Sequence, residues 1–247
     1  MIEEPPSEVR VQFRDELDGV VREITRLAAH VTEAIPRGTQ ALLDGDLQTA
    51  QAMIDHDDVI DDLSIEIEER CYKILTLQAP VASDLRAIIA AIRLVAEIER
   101  SADLMVNVCK GTRRIYPTEL PPPVRGLLQQ MSEQATKLFT MCMDAYLEQD
   151  ASLAAALDDI DDRLDDLHAD FIQTVLEWGS DEGDIQPAVQ LALIGRYYER
   201  IGDHAVNIGE RVRYMVDGWL PEHAGSARVH ATRPVWSDVE AAGGPDV

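Results

Sequence analysis

One acidic pattern occurs twice in this chain. Glu99-Arg100-Ser101-Ala102-Asp103, with Asn107 one turn further on, returns 100 residues later as Glu199-Arg200-Ile201-Gly202-Asp203 with Asn207. Ahead of it, Asp57, Asp58, Asp61, Asp62 and Leu63 return 104 residues later as Asp161, Asp162, Asp165, Asp166 and Leu167. A duplication on this scale constrains the fold more than any composition does, because both halves must adopt the same supersecondary unit. The change of offset leaves four residues fewer between the motifs in the second half.

The unit is helical. Val20, Val21, Ile24, Leu27, Ala28, Val31 and Ile35 recur at spacings of three and four, which predicts an amphipathic helix from about 7 to 43, kinked at Pro36. Asp44-Gly45-Asp46 supplies a turn and an N-cap for a second helix from Leu47 to about Leu77, stopped by Pro80. A third runs from about Leu85 to Ile115, and Tyr116 to Pro123, rich in proline, forbids continuation. The same order follows: a helix from Val124 to Glu148, a turn at Gln149-Asp150, a helix to about Trp178, a break at Gly179 to Gly183, and a helix to Gly218. The expectation is an all-α chain of six long helices: an arm at 1–8, one three-helix repeat at 9–115, a linker at 116–123, a second repeat at 124–218 and a disordered tail at 219–247. The low aromatic content of 5% agrees with packed helices rather than sheets.

The formal charge of -24, from 46 acids and 22 bases, repels nucleic acid phosphates and anionic lipid headgroups alike, so no nucleic acid partner is expected. Cys71, Cys109 and Cys142 are odd in number and lie outside any CxxC spacing, which reads as three small core residues. No basic leader followed by an apolar stretch opens the chain, and no run of eighteen apolar residues occurs. A cytoplasmic protein without membrane insertion is expected.

Residues four apart on a helix share a face, so Glu99 pairs with Asp103 and Asp57 with Asp61. These acids continue the apolar stripes of Ile88, Ile92 and Ala96 and of Ile54 and Ile65, and in the second half Asp161 and Asp165 share a stripe with Ala154, Ala169 and Ile172. They are therefore expected to face neighbouring helices, where like charges need a compensating cation. Metal ions and the arginines Arg100 and Arg200 are both candidates for that charge. Asp58, Asp62, Asp162 and Asp166 lie about 100° round the helix and read as solvated. Asn107 and Asn207 suit an amide ligand or a helix–helix hydrogen bond equally. His168 and His204 lack counterparts in the first repeat and read as packing or surface residues.

Together, Ala79-Pro80-Val81-Ala82-Ser83-Asp84-Leu85-Arg86, the first acidic motif, and Glu199 to Ile208 resemble the PhoU family of phosphate-specific transport accessory proteins. The resemblance spans about residues 10 to 218. It implies two three-helix bundles related by pseudo-twofold symmetry, with multinuclear clusters of iron or zinc, manganese or magnesium being alternatives. The implied ligands are Asp57, Asp61, Glu99 and Asp103 in one half and Asp161, Asp165, Glu199 and Asp203 in the other, with Asn107, Asn207, Arg100 and Arg200 as additional site residues. It further implies a non-enzymatic negative regulator of phosphate uptake and of the phosphate-starvation response, working on a phosphate ABC transporter ATPase and a sensor histidine kinase at the inner face of the membrane. Homodimerisation is left open. Two departures stand out: Ser101-Ala102 replaces the Ile-Gly of the second half, and the Pro-x-x-x-Asp-Leu-Arg stretch has no second copy, so Asp84 and Arg86 are expected to serve one half.

Two rival readings follow from the residues. A di-metal carboxylate enzyme would carry Glu-x-x-His twice, whereas the nearest approach here is a single Asp165-Asp166-Leu167-His168. A metal-free scaffold would instead pair the acids with arginines.

Overall fold

The computed structural model of the chain describes residues 8–182 and 185–218. The tail expected at 219–247, and all but the last residue of the arm expected at 1–8, lie outside the described residues. Among the described residues seven helices follow one another: α1 (Glu8–Asp44), α2 (Leu47–Asp55), α3 (Asp57–Gln78), α4 (Ala82–Ile115), α5 (Pro122–Glu148), α6 (Ala151–Glu182) and α7 (Ile185–Asp217). They form the six expected rods, the second being divided into α2 and α3 at His56. Asp55-His56-Asp57-Asp58 combines weak helix formers, and Asp57 and Asp58 stabilise a fresh N-terminus by opposing the helix dipole. Pro36, expected to kink the first helix, lies inside an uninterrupted α1. The break expected at Gly179 is displaced, since α6 runs on to Glu182 while Gly179 packs against Ala188.

The turns are built alike in both halves. Gly45 (φ 63°) and Gln149 (φ 54°) reverse the chain in the left-handed region, and the residue after each caps the next helix. Asp46 accepts the backbone N–H groups of Gln48 and Thr49 at 3.0 Å each. Asp150 accepts those of Ser152 and Leu153 at 2.8 and 3.0 Å. The equivalence of these caps establishes the 104-residue register along the first two rods of each repeat.

The halves share one core. A single cluster of buried side chains runs from Val20 and Ile24 in α1 through Leu94 and Ile98 in α4 to Ile201 and Val212 in α7. Cys71, Cys109 and Cys142 are buried free thiols, as expected. The α4 and α7 rods lie along each other at the centre, one from each repeat. There Thr39 Oγ1 sits 2.8 Å from Ser132 Oγ and 2.6 Å from the Tyr198 hydroxyl, joining α1, α5 and α7 through buried polar groups. Arg86 also crosses between halves. Its Nε and Nη2 donate to the carbonyls of Met215 and Val216 at 3.3 and 3.4 Å, satisfying the otherwise unpaired end of α7. Arg86 thus bridges both halves rather than serving one.

Along α7, Gly195, Gly202 and Gly209 recur every seven residues on the seam with α6. A Cβ on them would lie 2.6 Å from Phe171, 2.2 Å from Asp161 and 2.6 Å from Leu157. Their absent side chains bring α6 and α7 close enough to set the acids of the two helices against each other.

Candidate metal centres

Each half carries its acids in the groove between two antiparallel helices. In the first half Asp57 and Asp61 rise from α3 and Glu99 and Asp103 from α4. Burial raises the Asp57 carboxyl above its ordinary range, and the charges of Asp103 and Asp61 add to the effect against Lys110. Burial followed by Asp103 and Asp61 does the same to Glu99, with Arg100 opposing. Asp103 is raised by burial and Asp61. In the second half, burial and then Asp165 and Asp203 push the Asp161 carboxyl to about 7. Asp165 is raised by burial and Asp203, with His168 and Arg196 opposing. Mutual repulsion of this kind requires proximity: it groups Asp57, Asp61, Glu99 and Asp103 in the first half and Asp161, Asp165 and Asp203 in the second, where Glu199 is joined to Asp203 through Arg196.

The acids face the neighbouring helix but, Asp161 apart, are not buried there. Asp161 alone among the eight is buried, at 8% exposure. Asp57, Asp61, Glu99 and Glu199 are half-buried, and Asp103, Asp165 and Asp203 are exposed. The stripe they continue runs along the rim of the groove, since Ile65 on it is 54% exposed and Ala169 is exposed, and full desolvation of four carboxylates would cost too much. Asp58, Asp62, Asp162 and Asp166 are exposed, as their angle on the helix predicts.

Arg100 and Arg200 are exposed. Among the described residues the arginine seated against the acids is Arg196, whose guanidinium contacts the Glu199 carboxylate and approaches Asp203 at 3.9 Å. Its first-half equivalent is Ala96, and there the nearby cation is Lys110, where the second half has Glu210. Asn207 takes the helix–helix role left open by its sequence. It donates to Glu97 Oε2 at 3.1 Å, and His204 Nδ1 lies 2.7 Å from the same oxygen. Burial pushes the Glu97 carboxyl up, but these two hydrogen bonds and the charges of His204 and Arg100 together leave the group below its ordinary value. Glu97 was not singled out by the motif, because its repeat equivalent is Tyr197 and only the α4–α7 contact gives it partners. His168 is half-buried beside Asp165, with Nε2 lacking a hydrogen-bond partner. That makes it a nitrogen donor near the second centre, one turn from Asp165, that the missing repeat counterpart had concealed.

The donor set fits a hard or borderline cation. Asp57 Oδ1, Asp161 Oδ1 and Glu199 Oε2 are buried oxygens without any hydrogen-bond partner, at three of the eight assigned positions. Orphaned, desolvated carboxylate oxygens in a cluster of like charges are what a cation would satisfy. The side chains are not closed around a point: among the described residues no three His, Cys, Asp or Glu groups stand at ligating spacing.

The sequence matches the PhoU domain twice, over residues 24–112 and 128–212. This chain belongs to the PhoU family. It is 38% identical over 210 residues to the phosphate-specific transport system accessory protein PhoU homolog 1 of Mycobacterium tuberculosis, covering 83% of this chain and 92% of the relative. It is 35% identical over 216 residues to PhoU homolog 2 of the same organism, covering 86% and 100%. The fold superposes on the crystal structure of PhoU from Pseudomonas aeruginosa with a TM-score of 0.79 at 29% identity, covering 84% of this chain and 100% of that one. It also matches the phosphate transport system regulatory protein PhoU from Streptococcus pneumoniae, with a TM-score of 0.78 at 25% identity, covering 84% and 98%. No described helix of this PhoU-family chain is long and apolar enough to cross a membrane.

Proposed function

We propose that this PhoU-family chain is a metal-loaded, non-enzymatic negative regulator of phosphate uptake and of the phosphate-starvation response. It works at the cytoplasmic face of the membrane through contacts with a phosphate ABC transporter ATPase and a sensor histidine kinase. The relatives' names as phosphate transport accessory proteins support the pathway. The observation that carries the metal is the set of orphaned carboxylate oxygens at Asp57, Asp161 and Glu199, in clusters where burial and neighbouring carboxylates raise Asp57 and Asp161.

The ligands are Asp57, Asp61, Glu99 and Asp103 in one centre and Asp161, Asp165, Glu199 and Asp203 in the other. A bound divalent or trivalent ion supplies the positive charge that lets each set stay ionised. Iron or zinc is the expected occupant, and an all-oxygen set also accepts manganese or magnesium. Arg196 beside the second centre and Lys110 near the first each offset part of the negative charge.

Two measurements test the reading separately. Elemental analysis of natively purified protein should find more than one multivalent ion per chain. Protein that stays metal-free even after dialysis against iron, zinc, manganese and magnesium would remove the ligand assignment. For the regulation, cells lacking this protein and any second copy should express a phosphate-starvation phosphatase in ample phosphate. Unchanged repression would remove the regulatory role.

A further inference from the structure

The two repeats diverge in sequence around a cavity in the first half. On the register set by Asp46 and Asp150, His30 stands where the second half has Gln134, Arg37 where it has Met141, and His56 where it has Ile160. In the second half Gln134 Nε2 donates to the Ile160 carbonyl at 2.9 Å, and α6 passes that point without interruption. In the first half the corresponding rod breaks at His56, and a cavity of about 340 Å3 opens between α1, α2, α3 and α4. Its polar lining is His30, Glu33, Arg37 and His56, and its apolar wall includes Met53 and Met105.

The divergence is chemical as well as geometric. The His30 and His56 rings face each other with centroids 5.5 Å apart and planes tilted by 56°. Arg22, Arg26, His30 and Arg37 lie at spacings of four, four and seven, forming a basic row along one face of α1 in a chain of formal charge -24. An open helix and an unfilled cavity forfeit packing contacts that the second repeat keeps. A permanent guanidinium and ring N–H donors suit an anion, and no change of protonation is needed for either to donate. The thioether wall suits a flat apolar group, and the volume falls within the range of small-molecule sites.

We propose that this cavity binds a nucleotide, its phosphate held by Arg37 and the imidazoles of His30 and His56 and its base laid against Met53 and Met105. Glu33, whose carboxylate lies 3.9 Å from the Arg37 guanidinium, is placed to accept a ribose hydroxyl. The site is independent of the regulatory assignment. It does, however, abut the first acidic centre: Ala102 lines the cavity beside Asp103, and His56 precedes Asp57.

Calorimetric titration of the full chain with AMP, GMP, CMP and UMP, and with adenosine and inorganic phosphate as controls, tests it. At least one nucleotide should bind saturably and at least tenfold tighter than adenosine or phosphate. His30→Gln combined with Arg37→Met installs the second-half residues and should weaken that binding at least tenfold with unchanged helical circular dichroism. Should the double variant fail to fold, Arg37→Gln alone, at an exposed position, should still weaken it severalfold. Absence of saturable binding by all four nucleotides, equal affinity for inorganic phosphate, or binding indifferent to these variants overturns the proposal. Binding abolished by EDTA but untouched by the variants would place the nucleotide on the acidic centres, which also overturns it.

Discussion

Asp161 concentrates the electrostatic problem of this chain in one carboxyl. Its value near 7 lies above the 3.8 of an unhindered aspartate, so in metal-free protein its charged form opposes folding. The sign follows from linkage: a raised carboxyl contributes stability that is present below about pH 4 and is lost as pH rises through about 7. Metal-free protein should therefore be less stable at pH 8 than at pH 5 with respect to this group. Asp161→Asn should recover roughly 1–3 kcal/mol at pH 8 and little at pH 4, measured by urea unfolding at the two pH values. Loaded protein should behave oppositely, because the variant removes a ligand. Gly202 controls the same carboxyl sterically, since a Cβ there would lie 2.2 Å from Asp161 Oδ1. The first half carries Ala102 at the equivalent position, and its Asp57 is only half-buried. Gly202→Ala should displace Asp161 and lower the second centre's metal affinity at least tenfold, read by competition with a chromogenic chelator. Unaltered affinity would dissociate Asp161 from the centre.

At the scale of helices, the same substitution should have opposite signs in different places. Gly209→Ala in α7 would set a Cβ 2.8 Å from the Ala154 carbonyl oxygen, which is backbone and yields little, and should cost roughly 1–3 kcal/mol. Gly126→Ala in α5 meets nothing within 4 Å and should gain about 0.5–1 kcal/mol from reduced chain entropy. Thermal unfolding of the two variants would show the pair of signs; matching effects would mean that the α6–α7 seam tolerates a methyl group. The heptad of glycines was visible in the sequence as residues, but their purpose was not, because close approach is a property of two helices. The caps, in contrast, were legible: Asp46 and Asp150 each sit at a turn before a periodic stretch, and a cap is a local hydrogen bond. The break at His56 escaped the periodic pattern because Ile54, Asp57 and Asp61 keep spacings of three and four across it.

For the molecule as a whole, the shared core predicts that the repeats do not unfold separately. The Glu97 carboxylate binds His204 and Asn207 across the α4–α7 contact, where its side chain and that of His204 are 12% and 7% exposed. Glu97→Ala leaves both partners buried without an acceptor and should cost about 2–4 kcal/mol. Chemical unfolding followed by circular dichroism and by tryptophan fluorescence should keep coincident midpoints that shift together. Midpoints that separate would show that the halves are independent bundles.

The duplication, the helical periodicity, the capping turns and the pairing of acids four apart were determined by the sequence alone, because each depends on residues within a few turns of one another. The assignment of the eight acids to two sets likewise rests on their repetition. Only the tertiary structure decided that these acids line groove rims rather than the core, since a helix periodicity gives an angle and not a depth. Only packing could draw Glu97 to His204 and Asn207 and carry Arg86 across to the end of α7. These contacts join residues about 100 positions apart, whose meeting depends on how two similar halves are set against each other, which the local pattern within either half does not encode.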